Sequence, residues 1–321
     1  MSMERTASSA LPRVLMILTS HRLDCFKLTM DLLSATGSFD GFERVVLMLN
    51  GVVGRHRAYV DRFIAAHPEV SWDIISGPRG KGPLVANLQN ECVRRYPGRL
   101  YFKLDEDVFV SRGWVEKLAA AYEAHREDDR LALVTPVIPN NGVGFHHLLS
   151  RFPELAEEYR RRFPHPIVPD CDGPVWIYPQ IAEWITRKFL NLESANRQLI
   201  TDNTPPYTRF AFRFSINCLV YDYRHWTQMG GIPDGEEPAW GQWIPDHGKF
   251  NVLATDTLIH HYSFFVQQDW LDRSSLLEDI RIANQPGFPR MNPIRYYGPR
   301  LLRIVQQLPR ALRRKLSTRS A

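Results

Sequence analysis

Along the first 140 residues, short apolar runs bounded by polar groups alternate with stretches in which apolar positions recur every three or four residues. The runs predict buried strands and the recurring stretches predict amphipathic helices. "RVLMILTSH" (Arg13 to His21) is a strand ending in polar residues, and "DCFKLTMDLLSAT" from Asp24 has helical spacing. "FERVVLMLNG" (Phe42 to Gly51) repeats the strand and "GRHRAYVDRFIAAHP" (Gly54 to Pro68) the helix. "SWDIISG" (Ser71 to Gly77) is a third strand, and "KGPLVANLQNECVRRYPG" (Lys81 to Gly98) is a helix that stops at Pro97-Gly98, where proline cannot continue the ladder. "RLYFKLD" (Arg99 to Asp105) is a fourth strand. Strands apolar on both faces and separated by helices predict an α/β fold, a mostly parallel sheet flanked by helices.

The pattern then loosens. A helix from Gly113 to about Glu127 and the strand "LALVTPVIP" (Leu131 to Pro139) lead into residues 140–213, rich in proline, aromatic and charged groups. Two long helices are predicted there, "HHLLSRFPELAEEYRRRF" and "AEWITRKFLNLESANRQLI", forming a helical and irregular insertion or lid. "FRFSINCLVYDYRHWTQMGGI" predicts a strand and a short helix ending at Gly230-Gly231, and "KFNVLATDTLIHHYSF" (Lys249 to Phe264) two short strands. The expected organisation is a flexible leader over 1–12, one domain over 13–279 whose insertion spans about 140–213, and an extension over 280–321.

Composition agrees with one sizeable domain: 321 residues, 44% of them hydrophobic, are ample for a packed core. No apolar run approaches the roughly 20 residues that cross a bilayer, and Val14 to Leu18 is too short for a signal-peptide core, so the expected location is the cytoplasm. Cys25, Cys92, Cys171 and Cys218 are scattered without a CxxC pair, which predicts reduced, mostly buried thiols rather than a zinc site or disulfide framework. The net charge of +5 is unevenly spread. Ten of the 40 Lys and Arg lie from Ile280 onward with no acid among them, leaving 30 basic against 35 acidic residues in the body. A mildly acidic globule with a cationic extension does not suit nucleic acid, which needs basic residues on a folded face. Within the extension, Leu301, Leu302, Ile304, Val305, Leu308 and Leu312 stand among arginines, as in an interfacial helix drawn to anionic lipid, or in a basic helix packed on the body.

One cluster breaks the apolar pattern. Asp105, Glu106 and Asp107 follow directly on the fourth strand, at the edge of a parallel sheet where ligands bind. Alternation turns Asp105 and Asp107 to one side and Glu106 to the other. Two carboxylates sharing a side repel each other unless a cation sits beside them, and a hard divalent ion with oxygen ligands, magnesium or manganese, fits.

"YFKLDEDVFVSRGWVEKL" resembles the D-x-D segment of inverting family 2 glycosyltransferases with the GT-A fold. "ILTSHR" (Ile17 to Arg22) resembles that family's first strand end, and "RGKGPLVANLQNECV" (Arg79 to Val93) its stretch before D-x-D. The likeness covers most of residues 13–120 and returns near 214–264. It implies a Rossmann-like GT-A sheet with a donor-binding part over 13–138 and an acceptor part over 214–279. It further implies that Asp105 and Asp107 hold a Mn2+ or Mg2+ ion bridging the diphosphate of a nucleotide sugar, a UDP-sugar, with Thr19, His21, Arg22, Asn50, Lys81, Asn87 and Glu106 at the donor. Asn50 departs from the pattern, since the second strand of the family commonly ends in an acid that holds uracil.

The same resemblance implies a general base at an acidic pair before a helix. Here Glu236-Glu237 follow Gly230-Gly231-Ile232, with Pro238 favoured at a helix start, Gly248 at its stop and His260-His261 closing the next strand. Glu237 is the expected base, Glu236, Asp234 and Asp246 being the alternatives. One of His260 and His261 is expected at the metal or diphosphate, spacing favouring His260. Trp240 and Trp243 lie one helical turn apart, for sugar stacking or for the core. The implied activity is sugar transfer with inversion to a hydroxyl acceptor, a glycan or a glycolipid, in surface polysaccharide or glycolipid synthesis. Two other classes remain open: a sugar-nucleotide nucleotidyltransferase, although "LTSHRLDC" lacks its glycine-rich phosphate loop, and a non-catalytic sugar- or lipid-binding protein on the same scaffold.

Overall fold

The computed structural model describes residues 10–169, 173–200, 205–214 and 216–285. Most of the expected leader, Cys171 and most of the basic extension, including the candidate interfacial helix, lie outside the described residues.

The first part of the chain alternates as its pattern requires: β1 (Arg13–Thr19), α1 (Leu23–Ala35), β2 (Arg44–Asn50), α2 (Gly54–Ala66), β3 (Trp72–Gly77), α3 (Pro83–Arg95) and β4 (Leu100–Asp105). A two-residue β5 (Val108–Phe109), α4 (Trp114–Glu123) and β6 (Leu131–Val137) follow. Residues 140–200 fold as α5 (Gly142–Arg151), α6 (Pro153–Arg162), α7 (Pro174–Ile177), α8 (Pro179–Lys188) and α9 (Leu192–Leu199). The chain closes with β7 (Tyr207–Phe210), β8 (Cys218–Asp222), α10 (Tyr223–Met229), α11 (Glu236–Asp246), β9 (Phe250–Leu258), β10 (His260–His261), α12 (Gln268–Leu271) and α13 (Leu276–Asn284).

Eight strands form one mixed sheet in the order β3-β2-β1-β4-β8-β6-β9-β7. β3, β2, β1 and β4 are parallel neighbours; β8 runs antiparallel between β4 and β6, and β9 is parallel to β6 but antiparallel to β7. Alternation sorts each strand onto two faces. Val14 and Met16 of β1 join Val46 and Met48 in one apolar cluster, whereas Leu15 and Ile17 join Val45, Leu47 and Leu49 in the other. α2 and α4 cover the second cluster, through residues such as Val60, Phe63, Val115 and Leu118. α3 and the helices of residues 140–200 cover the first, through Val93, Leu148, Tyr159, Ile185 and Leu199.

The segment expected as a lid therefore buries its apolar side chains in the same core as the sheet. Each of its two predicted long helices is broken in two. Pro153 cannot extend α5, so α6 restarts with proline in its first turn. At the second break Asn191 accepts from the Ser194 N–H at 2.8 Å and so caps α9. The two strands expected near the C-terminus are one long β9 and the short β10, which leaves the main sheet to pair with β5. Cys25, Cys92 and Cys218 are buried free thiols. Trp240 is core, donating to His225 Nε2 at 2.9 Å, and Trp243 stacks on His247, so neither presents a face for sugar.

Burial depresses His56, His147, His225 and His260. His225 falls to about 3 and His147 to about 4, the latter helped by Arg151 and His146. Both stay neutral in the fold, while an unfolded histidine takes a proton near pH 6.5. Their stabilising contribution is full above that value and is lost as pH falls toward the folded values, at about 1.4 kcal/mol per pH unit for each group. The urea midpoint should accordingly drop between pH 7 and pH 5, and His147→Gln should shallow that slope; a midpoint independent of pH in this window would refute the assignment.

Candidate functional site

In an open parallel sheet the ligand crevice lies at the carboxyl ends of the strands where strand order reverses. Here that point falls between β1 and β4, since the chain leaves β1 for β2 on one side and returns with β4 on the other. A cavity of about 390 Å³ opens there. Ser20, His21 and Arg22 after β1, Arg79 and Lys81 after β3, and Asp105, Glu106 and Asp107 after β4 are among its walls. His261, Ser263, Phe264, Phe265 and Gln268 close the far side.

Glu106 holds these loops together. Its Oε2 accepts from Thr19 Oγ1 at 2.7 Å and from the Ser20 N–H at 2.9 Å; its Oε1 accepts from Ser20 Oγ and the His21 N–H, each at 3.1 Å. Thr29 of α1 donates to the Glu106 carbonyl at 2.8 Å. The expectation that Glu106 and Thr19 touch the donor is thereby revised. Thr19 is fully buried against Glu106 and His56, and the Glu106 carboxylate is saturated by the chain's own donors. Glu106 keeps a place in the cavity wall, whereas Thr19 does not line it.

Asn50 is revised in the same way. Its amide donates to the Gly80 carbonyl and its oxygen accepts the Gly80 N–H, both at 2.8 Å, as a strand neighbour would. The amide supplies both a donor and an acceptor here, which an ionised carboxylate could not, because it has no proton to donate. Gly51 completes the joint. A Cβ there would stand 2.2 Å from Arg79 Cβ, so a side chain would push Arg79 out of the cavity wall. Asn87 is exposed on α3 and lies outside the cavity lining.

Asp105 receives Lys103 Nζ at 2.6 Å and Asn217 Nδ2 at 2.9 Å. Burial raises its carboxyl above the ordinary value, Lys103 opposing this and Asp107 adding to it. Asp107 faces His261 Nε2 at 3.4 Å. Burial alone would push Asp107 up, but His261, Arg22 and the Ser263 N–H outweigh it and hold it below the usual carboxylate range. The β5–β10 pairing sets His261 opposite Val108, beside Asp107. Alternation then turns His260 the other way, where its Nε2 lies 2.9 Å from the Phe189 carbonyl. The spacing preference for His260 is corrected to His261.

Arg22 is buried beneath the cavity, donating to Ser263 Oγ at 3.1 Å and Asp272 at 3.0 Å and lying over the Tyr262 ring. It ties the β1–α1 loop to the segment after β10. His21 and Lys81 remain exposed at the cavity, Lys81 Nζ lying 4.7 Å from the Phe265 ring centroid.

Glu237 lies outside the cavity lining and is linked to Asp105 through Ile216 and Lys103. Its Oε1 accepts from Arg213 Nε at 3.0 Å and its Oε2 from the Ile216 N–H at 3.1 Å, while Lys103 Nζ donates to the Ile216 carbonyl at 2.6 Å. Burial raises the Glu237 carboxyl, against the pull of the Ile216 N–H and Arg213. The Glu236 side chain lies outside the described residues. Asp246 sits at the far end of α11, bound to Gln242, and the Asp234 backbone lies against Gly82 at the start of α3.

Sequence reasoning missed Lys103, Arg79, Asn217, Phe265 and Gln268. Lys103 left a signal, a cation two places before Asp105 in an apolar strand, and Arg79 stands in the quoted stretch before D-x-D. Asn217 and Gln268 left none, because distant segments bring them in.

No protein-family model and no curated protein matches the chain. Solved structures do. A mannosyltransferase from Pyrobaculum calidifontis, PcManGT, in complex with GDP-Man and Mn2+, superposes with a TM-score of 0.50 at 12% identity, over 98% of this chain and 80% of that one. GalNAc-T7 with UDP, GalNAc and Mn2+ gives 0.49 at 13%, over 80% and 44%, and residues 1–349 of S. aureus TarS with UDP-GlcNAc give 0.31 at 14%, over 40% and 34%. The first, with the sheet order above, establishes a GT-A-type α/β fold.

Glu106→Gln should place an NH2 group against the N–H and O–H donors after β1 and cost about 2–4 kcal/mol, as expected for breaking a buried, charge-assisted cluster. Chemical denaturation measures this, and a cost below about 0.5 kcal/mol, the scale of an ordinary surface change, would show that the clamp does not hold the loop.

Proposed function

We propose that the chain is a metal-dependent glycosyltransferase that moves a sugar from a nucleotide-diphosphate donor, a UDP-sugar, to a hydroxyl acceptor with inversion. The observation that carries this is the placing of Asp105, Asp107 and His261 on one cavity wall at the carboxyl end of β4, with Arg79 and Lys81 on another. The donor set suits magnesium or manganese. Among the described residues no three acidic, histidine or cysteine side chains converge on a common metal position, so the protein would supply only part of the ion's coordination, from Asp107 and its neighbours, and phosphate oxygens and water the rest. An ion held there would supply positive charge to offset the negative charge developing on a departing nucleoside diphosphate.

The chain's own groups do the rest. Arg79 and Lys81 meet diphosphate oxygens from the exposed side, and His21 presents a hydrogen-bonding edge to the nucleoside. Asn217 and Lys103 fix the Asp105 carboxylate, so that it is oriented before any ligand arrives. Glu237 is the base in this reading. Burial raises its carboxyl above the ordinary value, the direction that makes a carboxylate a stronger base, and release from Arg213 and the Ile216 N–H has to precede proton transfer. The acceptor is a glycan or lipid-linked hydroxyl, and the expected setting is surface polysaccharide or glycolipid synthesis at the inner membrane face.

A second reading, a sugar-nucleotide-binding protein without turnover, is favoured by one observation: both Glu237 oxygens are already engaged by the chain. Thermal unfolding against a panel of nucleoside diphosphates, with and without manganese, tests the donor site, because ligands of the native state raise its melting temperature. A manganese-dependent shift with UDP is expected, and Asp107→Ala should abolish it while leaving the unliganded melting temperature within a few degrees. Retention of the shift in Asp107→Ala would remove the metal assignment. Glu237→Gln should keep UDP binding and lower UDP release with acceptor by at least about 100-fold, the usual worth of a general base; binding without release in the native chain would establish the second reading.

A further inference from the structure

Ten large hydrophobic side chains are exposed among the described residues, and six of them, Leu84, Ile177, Tyr178, Phe265, Val266 and Trp270, lie on three segments joined by side-chain contacts, with Phe265 itself on the cavity wall. Phe265 is 80% exposed and Val266 45%. The segments are tied together. Lys81 lies against the Phe265 ring, and Leu84 packs on Gly80 beside it. The buried Gln267 donates to the Val175 and Trp176 carbonyls at 2.8 and 3.1 Å, and its oxygen accepts the Phe264 N–H at 3.2 Å. Trp176 meets the Phe264 ring, and Trp270 Nε1 reaches Glu183 of α8 at 2.8 Å. A braced backbone thus holds two consecutive apolar side chains outward in water, which folding of the domain alone does not require.

We propose that this rim is a docking surface for an anionic phospholipid bilayer, into which Phe265, Val266 and Trp270 insert at headgroup depth. Aromatic and aliphatic side chains flanked by cations are the composition of an interfacial anchor, and Arg79 and Lys81 stand at the same mouth. Charge selects the occupant. The sequence beyond Ile280 carries ten cations and no acid, a composition that complements an anionic surface and supplies the second signal that a peripheral anchor needs. On the transferase reading, on which this consequence rests, the cavity opens toward the bilayer and the acceptor hydroxyl is carried on a lipid.

Flotation of the full chain with phosphatidylcholine vesicles, with and without phosphatidylglycerol, tests the surface without any nucleotide sugar, so its failure is separate from failure of the transferase reading. The chain should float with the anionic vesicles and not with the neutral ones. Phe265→Ser combined with Val266→Ser should weaken partitioning about tenfold at unchanged melting temperature, because both side chains are exposed. In brominated lipid, quenching of tryptophan emission should be lost in Trp270→Phe. A chain that stays unbound, or a double variant that floats as well as the native chain, would overturn the proposal.

Discussion

The Glu106 carboxylate joining the end of β4 to the loop after β1 is the contact on which the candidate site depends. Two adjacent parallel strands point their carboxyl ends the same way, but nothing in the sheet ladder fixes the loops beyond them. Glu106 does so by satisfying two backbone N–H groups and two hydroxyls of residues 19–21 with one buried charge. Removing that charge would leave those donors unpaired in a low-dielectric site, where each unmade bond is expensive. His21 and Arg22 are therefore delivered to the cavity by an acidic residue that itself contacts neither ligand nor metal in the proposed chemistry.

A second layer of positioning surrounds the first. Asn50 holds Gly80, and Gly51 lets Arg79 lie close. Lys103 and Asn217 hold Asp105, the β5–β10 pair brings His261 to Asp107, and Glu237 braces the segment that carries Ile216 and Asn217. Polar side chains inside a fold are tolerated only when paired, and here the pairing partners are the loops that shape the cavity. The same requirement explains why Asn50 and Glu106 bind backbone groups of neighbouring loops and Thr19 binds Glu106 and His56. Thr19, Asn50 and Glu106 are polar and stand at strand ends, which is also where loops most need anchoring.

The acidic triplet is therefore not three equivalent groups. Alternation gives Glu106 to the neighbouring loop and leaves Asp105 and Asp107 on the cavity, and their surroundings then move the two carboxyls in opposite directions, Asp105 up and Asp107 down. A pair split in this way places the firmer negative charge at Asp107, beside His261, and keeps Asp105 paired with Lys103.

The strands of the first half, the helices between them and the position of Asp105–Asp107 at a sheet edge were legible in the sequence, because periodicity and strand-end polarity are local properties of the chain. So were the buried thiols and the cationic extension. The breaks at Pro153 and Asn191 were locally encoded too, but the apolar spacing runs through them and hid them. Only tertiary structure decided which histidine faces the carboxylates, since that depends on β10 pairing with β5 about 150 residues earlier in the chain. The capture of Asn50 by Gly80, the bracing of Glu237 and the packing of residues 140–200 into the core were likewise settled by segments distant in sequence. The physical reason is common to all of them: a side chain's chemistry is set by the groups it meets when buried, and periodicity says that it will be buried without saying against what.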